Sequence, residues 1–363
     1  MQKKTSITVC LLLVACMLVA SAVVVAKGKP PKPPPGGELG TEYQITFSED
    51  GRFDWRPEVY GNIMVWESWQ NDISDIYMYD LGTDGIPYTD DDGGETCITN
   101  DPTSSQQRPG IWENRIVYDN GENGNADIYL YDITTGDTTQ ITTDPNHQFN
   151  PKICGDIIVY VDSRNGNNDI YAYDLGTQTE MQITTDPAPQ RHPYIYGDII
   201  TWTDFRGPYG GEDIYMYKFS TNQEYAITDD DFAQNWQYIR DNKIVWMDER
   251  NVGQGKKDNK DIYMYDLGPD GIPFTSDSGE GEYRLTGGDG ISESRPRLDG
   301  DLAIFEGHNQ RGSNIYIHNI ISSDKDKVTE SNKATRPFIF EDHLVYVDSR
   351  DGNNDIYLFI LNP

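Results

Sequence analysis

The sequence predicts an all-β protein, a seven-bladed β-propeller whose blades are four-stranded antiparallel sheets. Three observations predict this fold. The phrase Asp-Ile-Tyr recurs seven times at steps of 41 to 53 residues, once as Asn-Ile-Tyr. A phrase close to Gln-Ile-Thr also recurs seven times, and a short strand follows a Pro in six repeats. No segment has helical periodicity over a useful length, so each repeat is expected to be a small sheet of strands. Such a sheet cannot bury both faces alone, and radial stacking around an axis buries them against neighbouring sheets.

Each repeat contains four short strands, and the third repeat shows them most clearly. Residues 152–155 end in a Gly-Asp turn, and residues 157–161 form the next apolar strand. Asn165-Gly166 then predicts a hairpin turn, because Asn and Gly tolerate positive φ. Residues 169–175 and 180–184 complete the unit with aromatic and β-branched side chains that favour strands.

The strand order at the two ends of the chain predicts how the ring closes. Residues 42–46 read as a fourth strand before any first strand, and residues 355–361 read as a third strand without a fourth. Two incomplete units make one complete blade, so we expect these two strands to pair. Pairing removes an open sheet edge, which otherwise promotes aggregation.

The N-terminal sequence is typical of a targeting segment. Lys3 and Lys4 precede an uncharged run over residues 6–26 that contains small residues suited to cleavage. The run is also long enough to span a bilayer if it is retained. Lipidation at Cys16 is a third alternative. All three place the rest of the chain outside the cytoplasm, secreted or anchored at the cell surface.

These features divide the chain into three parts. Residues 1–26 are expected to be a signal peptide or an N-terminal membrane anchor. Residues 27–40 are rich in Pro and Gly and predict an extended linker. Residues 41–363 are expected to form the propeller.

The charge balance restricts the partners. Twenty-nine basic residues stand against 60 acidic ones, for a net charge of −31. Such a surface repels nucleic-acid phosphates and anionic lipid, so we expect no nucleic-acid partner and membrane contact only through the N-terminal segment. Divalent cations or basic partners suit it, and solubility alone is the alternative reason. The propeller is expected to be a monomer.

Two cysteines, Cys97 and Cys154, lie in the repeats. A disulfide is permitted outside the cytoplasm, but they occupy non-equivalent positions in different repeats. Two small buried residues are the favoured interpretation.

The repeat resembles a known family. The phrase D-S-R-N-G-N-N-D-I-Y-A-Y-D-L at residues 162–175, followed by Q-I-T, is similar to the PD40, or WD40-like, repeat of TolB-type propellers, and the resemblance covers residues 42–361. Such repeats occur in periplasmic TolB, in propellers attached to peptidases, in polysaccharide lyases and in archaeal surface proteins. The resemblance implies a stand-alone exported or cell-surface propeller of archaeal or bacterial type.

The second strands divide the repeats into two groups. Four contain Asp-x-Arg after an aromatic residue: Asp162/Arg164, Asp204/Arg206, Asp248/Arg250 and Asp348/Arg350. Three carry the acid one place earlier and lack the Arg: Glu67, Asp119 and Glu306. Because strand side chains alternate in direction, the shift moves the acid to the other face. Bracing of the blades and ligand binding are the alternative interpretations, and bracing is favoured.

Two insertions between third and fourth strands are candidate calcium sites, at residues 80–95 and 266–282. Both contain Asp-Gly-Ile-Pro followed by acids, and Ca²⁺ prefers clustered carboxylate and carbonyl oxygens. The candidate ligands are Asp84, Asp90, Asp92, Asp270, Asp277 and Glu280. The spacing differs from the EF-hand pattern, and a solvated acidic turn is the alternative.

Exceptions to the repeat on one propeller face are candidate ligand-binding residues. The loops between second and third strands share that face with the loops between blades. Its unusual residues are aromatic or His side chains able to stack on a sugar or hold a peptide. They are Trp55, Trp69, His192, Phe205, Tyr209, Trp236 and His308. Packing between blades is the alternative role.

The sequence contains only part of the set of residues that an enzyme would need. His147 and His192 lie near consecutive inter-blade loops with Gln148 and Gln190 beside them, and the resemblance implies that TolB-like lyases hold a divalent metal with His and Gln. No third His is convincingly placed, and no nucleophile motif is present. We therefore expect a non-catalytic binding module for protein or glycan. The alternative is a metal-dependent polysaccharide lyase or hydrolase with its site at the channel mouth.

Overall fold

A computed structural model describes residues 39–48, 51–121, 124–207, 211–252, 260–277, 279–288 and 290–362. Within these residues every regular element is a β-strand. None of them lies in a helix that is long and apolar enough to cross a membrane. The expected targeting segment and most of the expected linker fall outside the described residues.

In the described ranges, 28 strands form seven four-stranded antiparallel sheets, which confirms the predicted propeller. The first strands of blades one to seven are β2 (Phe53–Tyr60), β6 (Gln106–Trp112), β10 (Gln148–Cys154), β14 (Gln190–Tyr196), β18 (Gln234–Arg240), β22 (Ser292–Asp299) and β26 (Ala334–Phe340). The second strands are β3 (Ile63–Gln70), β7 (Arg115–Asn120), β11 (Ile157–Asp162), β15 (Ile199–Asp204), β19 (Lys243–Asp248), β23 (Leu302–Asn309) and β27 (His343–Asp348).

The outer half of each blade follows the same order. The third strands are β4 (Ile73–Asp80), β8 (Asp127–Asp132), β12 (Asp169–Asp174), β16 (Asp213–Lys218), β20 (Asp261–Asp266), β24 (Gly312–Asn319) and β28 (Asp355–Leu361). The fourth strands of blades one to six are β5 (Gly94–Cys97), β9 (Thr138–Gln140), β13 (Thr179–Gln182), β17 (Gln223–Ala226), β21 (Gly281–Arg284) and β25 (Lys325–Lys327).

The N-terminal strand closes the ring, as predicted. β1 (Gly40–Gln44) pairs antiparallel with β28, from Gly40 opposite Leu361 to Gln44 opposite Tyr357. The strand lies two residues earlier than the predicted range of 42–46. Ile45 leaves the regular ladder, but its amide still donates to the carbonyl of Ile356 at 2.8 Å.

The recurring phrases build the packing of each blade. The Ile of Asp-Ile-Tyr is 0% exposed in all seven blades. The Tyr stacks on the aromatic residue of the second strand, with ring centroids 5.8 to 6.2 Å apart. The Thr of Gln-Ile-Thr accepts the amide hydrogen of that Ile at 2.8 to 2.9 Å in every blade. Their presence in every blade marks them as scaffold.

The four Asp-x-Arg pairs hold the fourth strand onto its blade. Each Arg lies 2.6 to 2.7 Å from its Asp and 2.5 to 2.7 Å from a Glu of the fourth strand. Each guanidinium also covers the Tyr of Asp-Ile-Tyr, 4.3 to 4.5 Å from the ring centroid. In blade seven the Glu is Glu42 of β1. This geometry supports bracing rather than ligand binding.

Cys97 and Cys154 are both free. Cys154 is buried beside β14, where its sulfur accepts the amide hydrogen of Gly197 at 3.3 Å.

Candidate functional site

A cavity of about 90 Å³ lies on the propeller axis and is lined by the first strand of every blade. A β-bulge interrupts each of these strands at the same point, and the bulged residue has φ between 49° and 58°. A bulge re-aims a side chain, and here it points seven of them at one end of the cavity. We call these residues the mouth ring: Arg56, Arg108, Asn150, His192, Trp236, Arg295 and Arg336.

Three mouth-ring arginines have a carboxylate partner in their own blade. Arg56 binds Glu67, Arg108 binds Asp119 and Arg295 binds Glu306, each with its nearest contact at 2.8 or 2.9 Å. These partners are the three acids that the sequence places one position early. Each acid also accepts the backbone amide hydrogen of the next blade's mouth-ring residue at 2.6 to 3.0 Å. The early acids therefore neutralise an arginine and join adjacent blades.

Arg336 has no such partner. The position in blade seven that corresponds to Glu67, Asp119 and Glu306 is Val347, which is opposite Thr335 in the ladder. Among the described residues, the Arg336 guanidinium has no hydrogen bond or ion pair, and its contact is the ring of Trp55 at 4.2 Å. Burial and then the neighbouring guanidinium groups of Arg295 and Arg56 lower the pKa of Arg336 to about 9. It remains a cation at neutral pH.

His192 and Trp236 stack side by side in the ring, with centroids 5.0 Å apart, and Arg295 covers the indole at 4.6 Å. Burial, followed by Coulombic repulsion from nearby arginines, lowers the pKa of His192 to about 4. His192 is therefore neutral at physiological pH, and the positive charge of the ring that no acid among the described residues neutralises is that of Arg336.

Polar and aromatic groups obstruct the cavity below the ring. Lys152 of blade three binds Glu58 of blade one at 2.6 Å. Arg297 donates to the hydroxyl of Tyr194 at 2.7 Å and lies over that ring and two others. No carboxylate among the described residues lies within ion-pair distance of Arg297. The site therefore suits the end of a ligand rather than a polymer threading through the axis.

The predicted ligand-binding residues lie in different parts of the propeller. His192 and Trp236 line the cavity, and Trp55 lies under Arg336. Trp69 and His308 occupy equivalent positions outside the ring and bind Glu67 and Glu306, each at 3.1 Å. Phe205 lies apart from the cavity lining, under Arg191 at 5.1 Å. Tyr209 is outside the described residues.

Sequence reasoning did not select the four arginines of the ring. The signal was present, because an Arg-Pro pair opens the first strand in four of the seven repeats. Because this Arg-Pro pair is shared by most repeats, sequence reasoning assigns it to the scaffold. The residue before the Pro nevertheless varies between blades, and variation at an axial position is what distinguishes a site from a scaffold.

The first acidic loop brings together a slightly different set of acids from the predicted one. Asp84, Asp91 and Asp92 have oxygen atoms within 4.8 Å of one another, whereas Asp90 is not in this group. Asp91 accepts the amide and hydroxyl hydrogens of Thr83, which hold the pKa of its carboxyl well below the usual range.

The second acidic loop uses its carboxylates to hold its own backbone. Burial alone would raise the pKa of Glu280, but hydrogen bonds from the hydroxyl of Tyr265 and the amides of Thr275 and Asp277 lower it to about 2. Asp270 accepts the amide hydrogen of Ile272 at 2.8 Å. Within the described part of the chain, Asp270, Asp277 and Glu280 do not converge as metal ligands.

The two histidines considered for an enzymatic metal site have different surroundings. His147 is exposed, and its Nδ1 accepts the amide hydrogen of Ala126 at 3.1 Å. His192 is stacked inside the mouth ring. Among the described residues, neither belongs to a group of three His, Cys, Asp or Glu side chains close enough together to hold a metal ion.

No model of a known protein family matches this chain, and no curated protein matches it. Solved structures are similar in fold. An oligogalacturonate lyase in complex with manganese aligns at a TM-score of 0.65 and 12% identity, over 93% of this chain and 98% of its own. The oligogalacturonate lyase of Vibrio parahaemolyticus aligns at 0.62 and 12% identity, over 92% and 98%.

The β-propeller domain of the Trilobed protease from Pyrococcus furiosus aligns at a TM-score of 0.61 and 12% identity, over 85% of this chain and 95% of its own. That domain is described as having an open velcro topology, whereas β1 and β28 pair in this chain. At such identities these likenesses show the fold alone. The chain has the propeller architecture that the repeats predicted.

Proposed function

We propose that this protein is a non-catalytic binding module, exported and held at the cell surface, that receives a glycan or protein ligand at the mouth ring. One observation carries the proposal. Four arginines, a neutral histidine and a tryptophan converge on an axial cavity in a protein whose net charge is −31. A focused cationic site on an acidic body selects a ligand by local charge complementarity.

The surroundings of the mouth fit a glycan well. Phe53 is 42% exposed and stacks on Trp69 with an interplanar angle of 3°. Trp69 donates to Glu67, the partner of Arg56, so this aromatic pair adjoins the ring. An exposed aromatic face stacks on sugar rings, while nearby charged groups orient them. The resemblance to PD40 surface propellers and the N-terminal targeting sequence support the exported location.

A glycan array and a protein pull-down with the purified chain test this function. We expect specific binding that Trp236→Ala weakens about tenfold or more, because the indole supports both His192 and Arg295. Phe274→Ala is the matched control, since Phe274 is an exposed aromatic residue of the second acidic loop, residues 266–282. Each variant's unfolding temperature should be measured alongside. Equal losses in both folded variants, or none in Trp236→Ala, would place the ligand elsewhere.

A second candidate function is a lyase that acts on an acidic polysaccharide. The observation that favours it is the alignment with two oligogalacturonate lyases over nearly the whole of both chains. Incubation of the full chain with polygalacturonate and manganese should then produce an unsaturated product with new ultraviolet absorbance. A flat trace, together with retained binding in the array, supports the binding module.

A further inference from the structure

Arg336 is the exception in a regular pattern. Four blades place an arginine in the mouth ring, and three of them supply an acid at one ladder position of the second strand. The fourth places Val347 there, 1% exposed. Because a buried or half-buried cation is costly without a partner, this omission leaves a charge that can be neutralised from outside.

The charges around the cavity sum to an excess of positive charge. The pairs of Arg56, Arg108 and Arg295 with their acids are neutral, and so is the pair of Lys152 with Glu58. Arg336 and Arg297 have no carboxylate partner among the described residues, and both line the cavity. Their two charges line the axial cavity, which the seven blades partly enclose. A negatively charged group there interacts more strongly than at the outer surface.

Contacts within the protein support Arg336 at the cavity. Trp55 covers a face of the Arg336 side chain, and the backbone amide of Arg336 is held by Glu306 at 2.6 Å. Glu306 therefore holds the backbone of the bulge, and the indole of Trp55 supports the side chain that lines the cavity. A planar guanidinium that is held in this way presents paired donors to an oxyanion.

From these contacts we propose that Arg336 is the anion-recognition residue of the mouth, and that the ligand is an acidic glycan which places a carboxylate or sulfate group on it. This inference rests on the proposed function and makes it more specific. The cavity volume of about 90 Å³ accommodates one such group, since a water molecule occupies about 30 Å³. The Phe53–Trp69 pair then contacts a neighbouring sugar ring.

Calorimetric titration of the full chain with glucuronate, glucose 6-sulfate and glucose tests the inference. We expect the two acidic sugars to bind and glucose to fail, with affinity falling as salt is raised. Whichever acidic sugar binds more tightly identifies the group. Arg336→Gln should weaken that binding about tenfold or more, the value of one charge-assisted contact. Arg311→Gln is the control, because it removes the same charge from an exposed hairpin position and should leave binding unchanged.

Val347→Glu is the sharper variant. It gives blade seven the acid that blades one, two and six already have, so the new carboxylate should bind Arg336 and exclude the sugar without removing the arginine. Loss of binding in both Arg336→Gln and Val347→Glu, with unfolding temperatures near that of the original chain, supports the inference. If Val347→Glu does not fold, Arg336→Gln alone decides.

The inference fails if glucose binds as well as the acidic sugars, if none of them binds, or if Arg336→Gln binds like the original chain. The proposed function fails separately. A neutral glycan or a protein that Trp236→Ala loses but Arg336→Gln keeps would retain the mouth as the site and overturn only its preference for an acidic glycan.

Discussion

The seven mouth-ring residues share a backbone conformation that side chains other than glycine seldom adopt. Their φ values of 49° to 58° lie in the left-handed region, which costs about 1 kcal/mol or more per residue. The cost is repeated in every blade, including blade five, where Gln237 replaces the Pro. The bulge is therefore part of the fold, and the identity of the side chain that it projects is what each blade can vary.

The neutral state of His192 predicts a pH dependence of stability. Burial and the guanidinium groups of Arg191 and Arg297 lower the pKa of His192 from 6.5 to about 4. The unfolded chain therefore binds a proton that the folded chain refuses between these values, and stability falls as pH falls from 6.5 to 4. His192→Gln should make this acid loss shallower in thermal unfolding at a series of pH values. His147→Gln, at an exposed position, is the control. Parallel curves for His192→Gln and the original chain would contradict the assignment.

Within the second strands, a one-residue shift in the position of the acid changes which groups the acid binds. In the Asp-x-Arg blades the acid and Arg clamp the fourth strand from the outer side. In blades one, two and six the acid lies on the opposite face of the strand, pairs with a mouth-ring arginine and joins the next blade. Alternation along a strand explains this division. Blade seven combines a mouth-ring Arg with Asp348, an acid of the Asp-x-Arg type that binds Arg350, and so leaves Arg336 without an acid.

The clamp on β1 predicts a local effect. Arg350 binds Glu42 at 2.7 Å and joins the two ends of the chain. In Glu42→Gln we expect the amides of β1 to exchange hydrogen about two- to fivefold faster, since a partly exposed ion pair contributes up to about 1 kcal/mol. Glu180→Gln removes the matching contact to Arg164 in blade three and should leave β1 unchanged. Equal exchange in β1 for both variants would show that Glu42 does not secure the strand.

Calcium binding remains a prediction, and we now expect it only at the first acidic loop, residues 80–95. Asp84, Asp91 and Asp92 present oxygens close together, so Ca²⁺ should raise the unfolding temperature and a chelator should lower it. Asp91→Asn should abolish the response, while the neighbouring Asp90→Asn should keep it. An unfolding temperature that is unaffected by calcium and chelator would contradict a site in this loop.

Closure of the ring is a property of the whole molecule. Without β1, the strand β28 would expose its hydrogen-bonding edge, and the apolar groups between blades seven and one would lose cover. An exposed edge promotes association between chains. The last strand therefore depends on the first described one for both stability and solubility.

Two truncations test closure. Removal of residues 1–38 keeps β1 and should leave the unfolding temperature close to that of the full chain, as a monomer by size-exclusion chromatography. Removal of residues 1–48 deletes β1 and should lower the unfolding temperature by several degrees and produce larger species. If the two truncated chains behave alike, β1 is dispensable for closure.

The sequence by itself determined the number of blades, the four strands in each and the closure of the ring. This was possible because Asp-Ile-Tyr and Gln-Ile-Thr make their contacts within one blade and recur in every blade, so the incomplete units at the two ends of the repeat array identify each other. It also indicated the face that carries His192 and Trp236. The placement of the acids on opposite faces of the second strand is visible in the sequence as a one-residue shift.

Only the tertiary structure decided which of these residues act together. Successive mouth-ring residues are roughly 40 to 60 positions apart in the sequence. A left-handed bulge, which no local sequence pattern predicts, turns them toward one axis. A mouth-ring arginine is neutralised only where the second strand carries an acid opposite the residue that precedes the arginine. Glu67, Asp119 and Glu306 occupy that position in three blades, and Val347 occupies it in the seventh. The unmatched charge of Arg336 follows from that register.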